Sequence, residues 1–186
     1  TLRTDLDIND AALFRRIDAE GVLPTTSAPA PGQFAEAYER AFVDGADEVD
    51  PHLDAIKGLG GFLLREKIVA SATRREVLVV DETKLVPWLG SSSPVPVEVA
   101  RFGWQSISMA LTRTGAETAL RQRDGRPYVT DEGHYILDCR YSEIASAQEL
   151  AMTLQAIPGV VGHGLFLRMV HSVVVASRDG VYTMER

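Results

Sequence analysis

The apolar positions that follow residue 40 change their pattern midway along the chain. In the first half, short continuous apolar runs at 41–43 and 77–80 flank a segment with helical spacing at 62–73. Continuous apolar runs are typical of parallel strands covered on both faces, so this half predicts a Rossmann-like, mostly parallel α/β sheet. Polar residues that begin at Asp44 and Asp81 directly follow the two runs. We expect them at the carboxyl edge of the sheet, where open α/β sheets bind ligands.

The second half alternates strand and helix patterns in the order β-α-β-β-α-β, which is typical of a ferredoxin-like α+β unit. A hairpin pattern follows and is expected to return to the first sheet. We therefore predict a Rossmann-like domain of residues 1–92 with 168–186 and a small ferredoxin-like domain of residues 93–167, with Ser91-Ser92-Ser93 as a linker. The predicted elements are strands at 95–99, 117–121, 135–139 and 160–166, helices at 102–113 and 147–157, and hairpin strands at 171–176 and 181–184.

The first forty residues carry weaker patterns. Apolar spacing between acidic residues predicts an amphipathic helix over 10–19. A segment rich in Pro, Ser and Thr at 24–32 predicts a loop, and a short helix is expected at 34–39.

Composition narrows the class of protein. The chain has 186 residues, 45% of them hydrophobic, and a net charge of −7 without a basic run, which argues against a nucleic-acid-binding protein. No apolar run approaches the ~18 residues that a membrane span needs, and the first residues lack the apolar core of a signal peptide. The single cysteine, Cys139, is expected to be a buried strand residue. These features predict a cytoplasmic protein without a membrane or nucleic-acid partner.

The first candidate for chemistry is an acidic loop. Asp44 and Asp47 follow the apolar run at 41–43, with the small residues Gly45 and Ala46 between them. Such acids often only cap a turn. Small neighbours, however, let a ligand approach the backbone closely, which favours a binding site.

The second candidate is a glycine-rich turn. Lys57 and Gly58-Leu59-Gly60-Gly61 directly precede the predicted helix at 62–73, and Glu66 lies one turn inside it. N–H groups at a helix start favour anions, and a carboxylate beside a cation can move a proton. The alternative is a plain flexible turn with an acid that favours the helix dipole. Arg65 and Lys67 are interpreted as solvated helix charges.

Two further groups of polar residues bear on the chemistry. Lys84 follows the apolar run at 77–80, where either a phosphate-binding lysine or an ordinary surface lysine fits. The four histidines lack metal-ligand spacing and a partnered nucleophile, so we expect neither a metal site nor a histidine in catalysis.

Six short segments carry a pattern that spans most of the chain. They lie at 44–48, 56–61, 65–68, 96–99, 129–133 and 157–161. In residues and in order they resemble type A ribose-5-phosphate isomerase. The resemblance implies interconversion of ribose 5-phosphate and ribulose 5-phosphate in the pentose phosphate pathway, through a cis-enediolate and without a metal or organic cofactor. It also implies a homodimer or homotetramer, and we expect residues 93–167 to form the subunit contacts.

The resemblance implies a role for each candidate residue. Glu66 would be the base that moves the proton between C2 and C1, and Lys57 would steady the enediolate oxygens together with backbone amides. Asp44 and Asp47 would assist ring opening and hydroxyl proton transfer, and Lys84 would bind the phosphate end. The remaining substrate-binding candidates are Gly45, Ala46, Gly58, Leu59 and Gly60.

The sequence departs from the family pattern in two places. Leu59 interrupts the glycine run, and the family's first strand with its Gly-Thr-Gly-Ser-Thr-like phosphate loop has no counterpart in residues 1–40. We expect truncation of a longer protein more than loss of the loop. Two alternatives stay open: a non-catalytic sugar-phosphate sensor, and an isomerase of another phosphorylated sugar.

Overall fold

A computed structural model describes residues 41–186 of the protein. The elements predicted at 10–19, 24–32 and 34–39 lie outside the described residues. The described strands are β1 Phe42–Asp44, β2 Glu48–Val49, β3 Ala55–Ile56, β4 Glu76–Asp81, β5 Val95–Val99, β6 Glu117–Leu120, β7 Gln122–Arg123, β8 Arg126–Pro127, β9 Tyr135–Arg140, β10 Val160–His163, β11 Leu165–Phe166, β12 Val170–Ser177 and β13 Gly180–Glu185. The described α-helices are α1 Leu63–Ala72, α2 Trp104–Thr112 and α3 Ala147–Gln155.

The predicted parallel sheet is present, with strand order β1-β4-β12-β13. β1, β4 and β12 are parallel, and β13 closes the predicted hairpin by pairing antiparallel with β12. Helix α1 packs on this sheet through Val69 and Ala70, and it also contacts β10 and β5 of the second sheet. Since β1 and β4 run in the same direction, their carboxyl ends meet at one edge, as expected.

The second sheet has the order β10-β5-β9-β6 and is antiparallel throughout. With α2 and α3 it follows the predicted β-α-β-β-α-β sequence and builds the larger apolar core, to which both helices and all four strands contribute. The α/β fold class is therefore confirmed, while the domain boundaries stay predictions. Helix α2 begins at Trp104 instead of residue 102, because Gly103 adopts a left-handed conformation with φ of 70°.

The strand predicted over 160–166 is two strands in two different sheets. β10 pairs with β5, whereas β11 joins a three-stranded sheet of order β11-β3-β2. The break lies at Gly164, whose N–H donates to the Pro96 carbonyl at 2.7 Å and whose carbonyl accepts from the Lys57 N–H at 2.9 Å. A Cβ there would lie 2.3 Å from the Lys57 carbonyl oxygen, so only glycine permits this crossing. The crossing fixes the backbone of Lys57.

The interpretation of Ser91-Ser92-Ser93 as a linker is wrong. The segment wraps around the buried carboxylate of Glu48, which accepts hydrogen bonds from the N–H groups of Gly90 at 2.6 Å and Ser92 at 2.7 Å and from that of Ser93. The Ser92 hydroxyl also donates to Glu48 at 2.7 Å. A buried carboxylate needs such donors, so Glu48 fixes this connection instead of leaving it flexible.

No helix among residues 41–186 is long and apolar enough to cross a membrane.

Candidate active site

A pocket of about 220 Å³ opens at the carboxyl end of β1. Two loops form it, the acidic loop after β1 and the glycine turn before α1. The pocket brings together eight of the ten residues singled out in the sequence: Asp44, Gly45, Ala46, Asp47, Lys57, Gly58, Gly60 and Glu66.

Lys57 lies at the base of the pocket and is 97% buried, since only 3% of its side chain is exposed. Its Nζ donates to Asp44 Oδ2 at 2.8 Å and to the carbonyl of Gly45, and it lies 3.5 Å from Glu66 Oε2. The ammonium also lies 5.5 Å from the centroid of the Phe166 ring. A buried cation requires this kind of compensation, and its two carboxylate neighbours provide it. The arrangement places a fixed positive charge beside both acids.

Glu66 projects from the first turn of α1 with 23% of its side chain exposed. Burial raises the pKa of its carboxyl above the ordinary value of 4.5, and the attraction of Lys57 opposes that rise. Its Oε2 is buried and accepts no hydrogen bond from the described residues. A partly exposed carboxylate with a raised pKa, beside a fixed cation, is suited to accept a proton from a ligand.

The two aspartates hold the loops in place. Asp44 accepts the Gly45 N–H on Oδ1 at 2.8 Å and Lys57 on Oδ2. Asp47 Oδ2 accepts the N–H of Leu59 at 2.9 Å, which connects the acidic loop to the glycine turn.

The backbone of the glycine turn explains why a leucine is tolerated in it. Gly58 and Gly61 have φ angles of 103° and 98°, in the region that favours glycine. A Cβ on Gly58 would lie 2.5 Å from Leu63 Cβ, and one on Gly61 would lie 2.2 Å from the Tyr128 hydroxyl oxygen. Leu59 has no positive φ, and its side chain is 40% exposed outside the pocket lining. It therefore contributes its backbone and leaves the pocket open.

Lys84 does not line this pocket. It ends a 3-10 turn at Glu82–Lys84, directly after β4, and its side chain is half-buried. Its charge lowers the pKa of the neighbouring Asp81, a shift caused mainly by the hydrogen bond from the Thr83 hydroxyl.

Two residues near the pocket were missed or misread in the sequence. Glu76 is fully buried at the start of β4, and neither carboxylate oxygen has a hydrogen-bond partner within residues 41–186. Burial raises its pKa to about 7, with Lys57 opposing and Asp44 and Glu66 adding to the rise. The signal available in the sequence was a glutamate directly before the apolar run at 77–80.

The interpretation of Lys67 as a solvated helix charge is wrong. Its Nζ donates to the carbonyls of His163 and Leu165, at 2.5 and 2.7 Å, and lies 4.7 Å from the Phe166 ring centroid. Burial lowers its pKa to about 7. Lys67 thus joins α1 to the β10–β11 crossing, the same crossing that holds the Lys57 backbone through Gly164.

Comparison with known proteins decides the family. Residues 36–180 match the protein-family model of ribose 5-phosphate isomerase A (phosphoriboisomerase A). The chain belongs to the ribose 5-phosphate isomerase A family. A curated relative from Gloeobacter violaceus, named ribose-5-phosphate isomerase A, is 50% identical over 168 residues, which are 90% of this chain and 70% of the relative.

Solved isomerase structures share the fold. The ribose 5-phosphate isomerase from Plasmodium falciparum superposes with a TM-score of 0.77 at 35% identity, over 79% of this chain and 66% of that one. A D-ribose-5-phosphate isomerase in complex with phospho-erythronic acid superposes with a TM-score of 0.76 at 38% identity, over 79% and 65%. The chain thus spans about two thirds of the length of these relatives. No group of three or more His, Cys, Asp or Glu side chains able to hold a metal ion occurs within the described part of the chain.

Proposed function

We propose that this chain interconverts ribose 5-phosphate and ribulose 5-phosphate through a cis-enediolate, with Glu66 as the proton-transfer base. The observation that carries the proposal is the position of Glu66 Oε2, 3.5 Å from the Lys57 ammonium in the pocket at the carboxyl end of β1. The Glu66 side chain is 23% exposed, so a ligand in the pocket can reach it while Lys57 stays beside it. The isomerase relative at 50% identity supports the choice of substrate.

The reaction moves two protons within the substrate, one between carbons and one between oxygens, and leaves the atom count unchanged. Glu66 in its ionised form removes the proton from C2 of the open-chain aldose, and the electron pair passes to the carbonyl oxygen at C1. A proton passes from the C2 hydroxyl to the oxygen at C1, which Asp44 or Asp47 assists. Glu66 then returns its proton to C1, which gives the ketose. Because no electron leaves the substrate, the proposed reaction needs no redox cofactor.

The geometry lowers the barrier in two ways. A positioned base replaces a random encounter, and a positive charge already in place stabilises the oxyanion as it forms. Lys57 supplies that charge, and it is held by Asp44 and the Gly45 carbonyl before any substrate arrives. The raised pKa of Glu66 makes its carboxylate a stronger base, so it is better matched to the weakly acidic C–H group from which it removes the proton.

The phosphate end is assigned to Lys84 in this proposal. Lys84 follows β4, the strand next to β1, so it lies at the same sheet edge as the pocket without lining it. When the carbonyl end of a five-carbon sugar phosphate is bound in the pocket, the phosphate at its other end extends beyond the pocket. Phospho-erythronic acid, which a related isomerase binds, is proposed to occupy the same pocket with its carboxylate beside Lys57.

We also propose that the protein is cytoplasmic and acts in the pentose phosphate pathway as a homodimer or homotetramer. The assembly is tested by light scattering of the purified chain. A mass equal to one chain of 20.3 kDa would contradict it.

Turnover of ribose 5-phosphate by the purified chain tests the function. Glu66→Gln keeps the shape of the side chain and removes the base, so we expect its kcat to fall by about 100-fold or more. Glu143→Gln is the matched control, because Glu143 is exposed and does not line the pocket. Binding of ribose 5-phosphate without turnover would instead favour a sensor, and faster turnover of another sugar phosphate would favour a different substrate.

A further inference from the structure

Arg121 connects the second sheet, of order β10-β5-β9-β6, to the glycine turn. It directly follows β6, and only 12% of its side chain is exposed. Its Nη1 donates to the carbonyl oxygens of Gly58 at 2.8 Å and Leu59 at 2.9 Å. A residue of the segment 93–167, which was expected to form the subunit contacts, therefore reaches the candidate active site.

The guanidinium is fixed from its other side by Asp138 on β9. Arg121 Nε donates to Asp138 Oδ2 at 2.9 Å, and Nη2 donates to Asp138 Oδ1. This two-point pairing uses the planar fork of arginine, which fixes the direction of the remaining N–H groups. The Arg121 backbone is also held, since its N–H donates to the Ile136 carbonyl at 2.9 Å. The donor group that faces the turn is consequently rigid.

One peptide of the turn is held at both ends. The peptide between Gly58 and Leu59 gives its carbonyl to Arg121 and its N–H to Asp47 Oδ2 at 2.9 Å. Because a trans peptide is planar, its carbonyl and N–H point in opposite directions, and the two contacts fix the plane completely.

The next peptide is held at one end only. The Leu59 carbonyl accepts from Arg121, so the N–H of Gly60 in the same peptide points away from Arg121. Gly60 lines the pocket with Lys57 and Glu66, and its N–H has no hydrogen-bond acceptor among residues 41–186. An N–H that is fixed and unoccupied at a pocket wall is what an oxyanion needs.

We propose that Arg121, held by Asp138, is a positioning residue that aims the Gly60 N–H at the enediolate oxygen. The inference rests on the proposed isomerase function and adds a positioning residue that lies beside the second sheet. Arg121 itself does not line the pocket, so it acts through the backbone of the turn.

Kinetics of three variants test this role. Arg121→Met removes the donors while keeping most of the side-chain volume, and Arg121→Lys keeps the charge but lacks the fork that serves Asp138 and both carbonyls. Arg126→Met is the matched control, because Arg126 lies exposed on the neighbouring strand β8. We expect kcat to fall by about 10- to 100-fold in both Arg121 variants, since small misplacements in an active site have effects of that size. KM is expected to stay within about threefold in each variant, because the contacts that bind the substrate in its ground state are unchanged.

A binding measurement separates positioning from a general loss of structure. Inhibition by phospho-erythronic acid, whose carboxylate resembles the enediolate oxygens, is expected to weaken in the Arg121 variants by about the same factor as kcat. Wild-type kcat in Arg121→Met, or a change confined to KM, would overturn the proposal. An equal loss in Arg126→Met would overturn it as well.

Amide hydrogen exchange keeps the test independent of turnover. Exchange of a peptide that covers residues 57–62 is expected to accelerate by about tenfold or more in Arg121→Met and to stay unchanged in Arg126→Met. If the unmodified chain fails to turn over ribose 5-phosphate, the proposed function fails, and exchange still decides whether Arg121 holds the turn. Unchanged exchange in Arg121→Met would overturn the positioning role by itself.

Discussion

Glu76→Gln is expected to change the pH dependence of stability in a defined direction. Glu76 is fully buried on β4, and within residues 41–186 its carboxylate oxygens have no hydrogen-bond partner. Burial raises its pKa from the ordinary value of 4.5 to about 7. Glutamine has nearly the same shape as the protonated acid but does not titrate, so the substitution isolates the titration.

The sign and size of the effect follow from the number of bound protons. Between pH 4.5 and 7 the folded protein holds the Glu76 proton more tightly than the unfolded chain does, so the free energy of unfolding falls as the pH rises through this range. A rise of the Glu76 pKa from 4.5 to about 7 corresponds to a change of about 3 kcal/mol in the free energy of unfolding. Wild type and variant are thus expected to be similarly stable near pH 4, whereas the variant is more stable by about 3 kcal/mol near pH 8.

Urea unfolding at several pH values, followed by circular dichroism, measures this difference directly. Subtracting the free energy of unfolding of the wild type from that of Glu76→Gln at each pH cancels the contributions of all groups that titrate equally in both proteins. Asp44, Lys57 and Glu66 influence Glu76 electrostatically, and the effects of Asp44 and Glu66 oppose that of Lys57. A difference that stays constant from about pH 4 to pH 8 would refute the reasoning, and a less stable variant at high pH would show that Lys57 stabilises the ionised form.

Three further outcomes are expected. Glu48→Ala removes the acceptor of three N–H groups and one hydroxyl around residues 90–93, so we expect urea unfolding to show a loss of about 3 kcal/mol or more. Leu59→Gly removes a side chain outside the pocket lining, so kcat for ribose 5-phosphate is expected to change by only about twofold. Burial raises the pKa of the Cys139 thiol to about 12, so it is expected to react with a thiol reagent only after unfolding; rapid reaction in the folded protein would contradict its burial.

The sequence was informative wherever local pattern determines the structure. Continuous apolar runs identified β1 and β4, and the order of strands and helices after residue 92 identified the antiparallel sheet. The acidic loop and the glycine turn were found because their residue types are unusual at the end of a strand and the start of a helix. Local residue patterns therefore predict eight residues that line the pocket.

The errors concern contacts between residues distant in the sequence. Lys67 looks like any solvated lysine on a helix, and only the return of the chain at 163–165 buries it. Ser92 looks like part of a linker until Glu48, 44 positions earlier, accepts its hydrogen bonds. Arg121 reaches Gly58 across 63 positions, a relation that no local spacing reveals.

Isomerisation in deuterated water tests the central claim most directly, because it follows the proton that Glu66 is proposed to carry. Proton NMR of the products is expected to show solvent deuterium at C1 of ribulose 5-phosphate and at C2 of recovered ribose 5-phosphate with the wild-type chain. Glu66→Gln is expected to introduce deuterium at either carbon at least about 100-fold more slowly, while Glu143→Gln behaves like wild type. Deuterium incorporation by Glu66→Gln at the wild-type rate would contradict the assignment of the base.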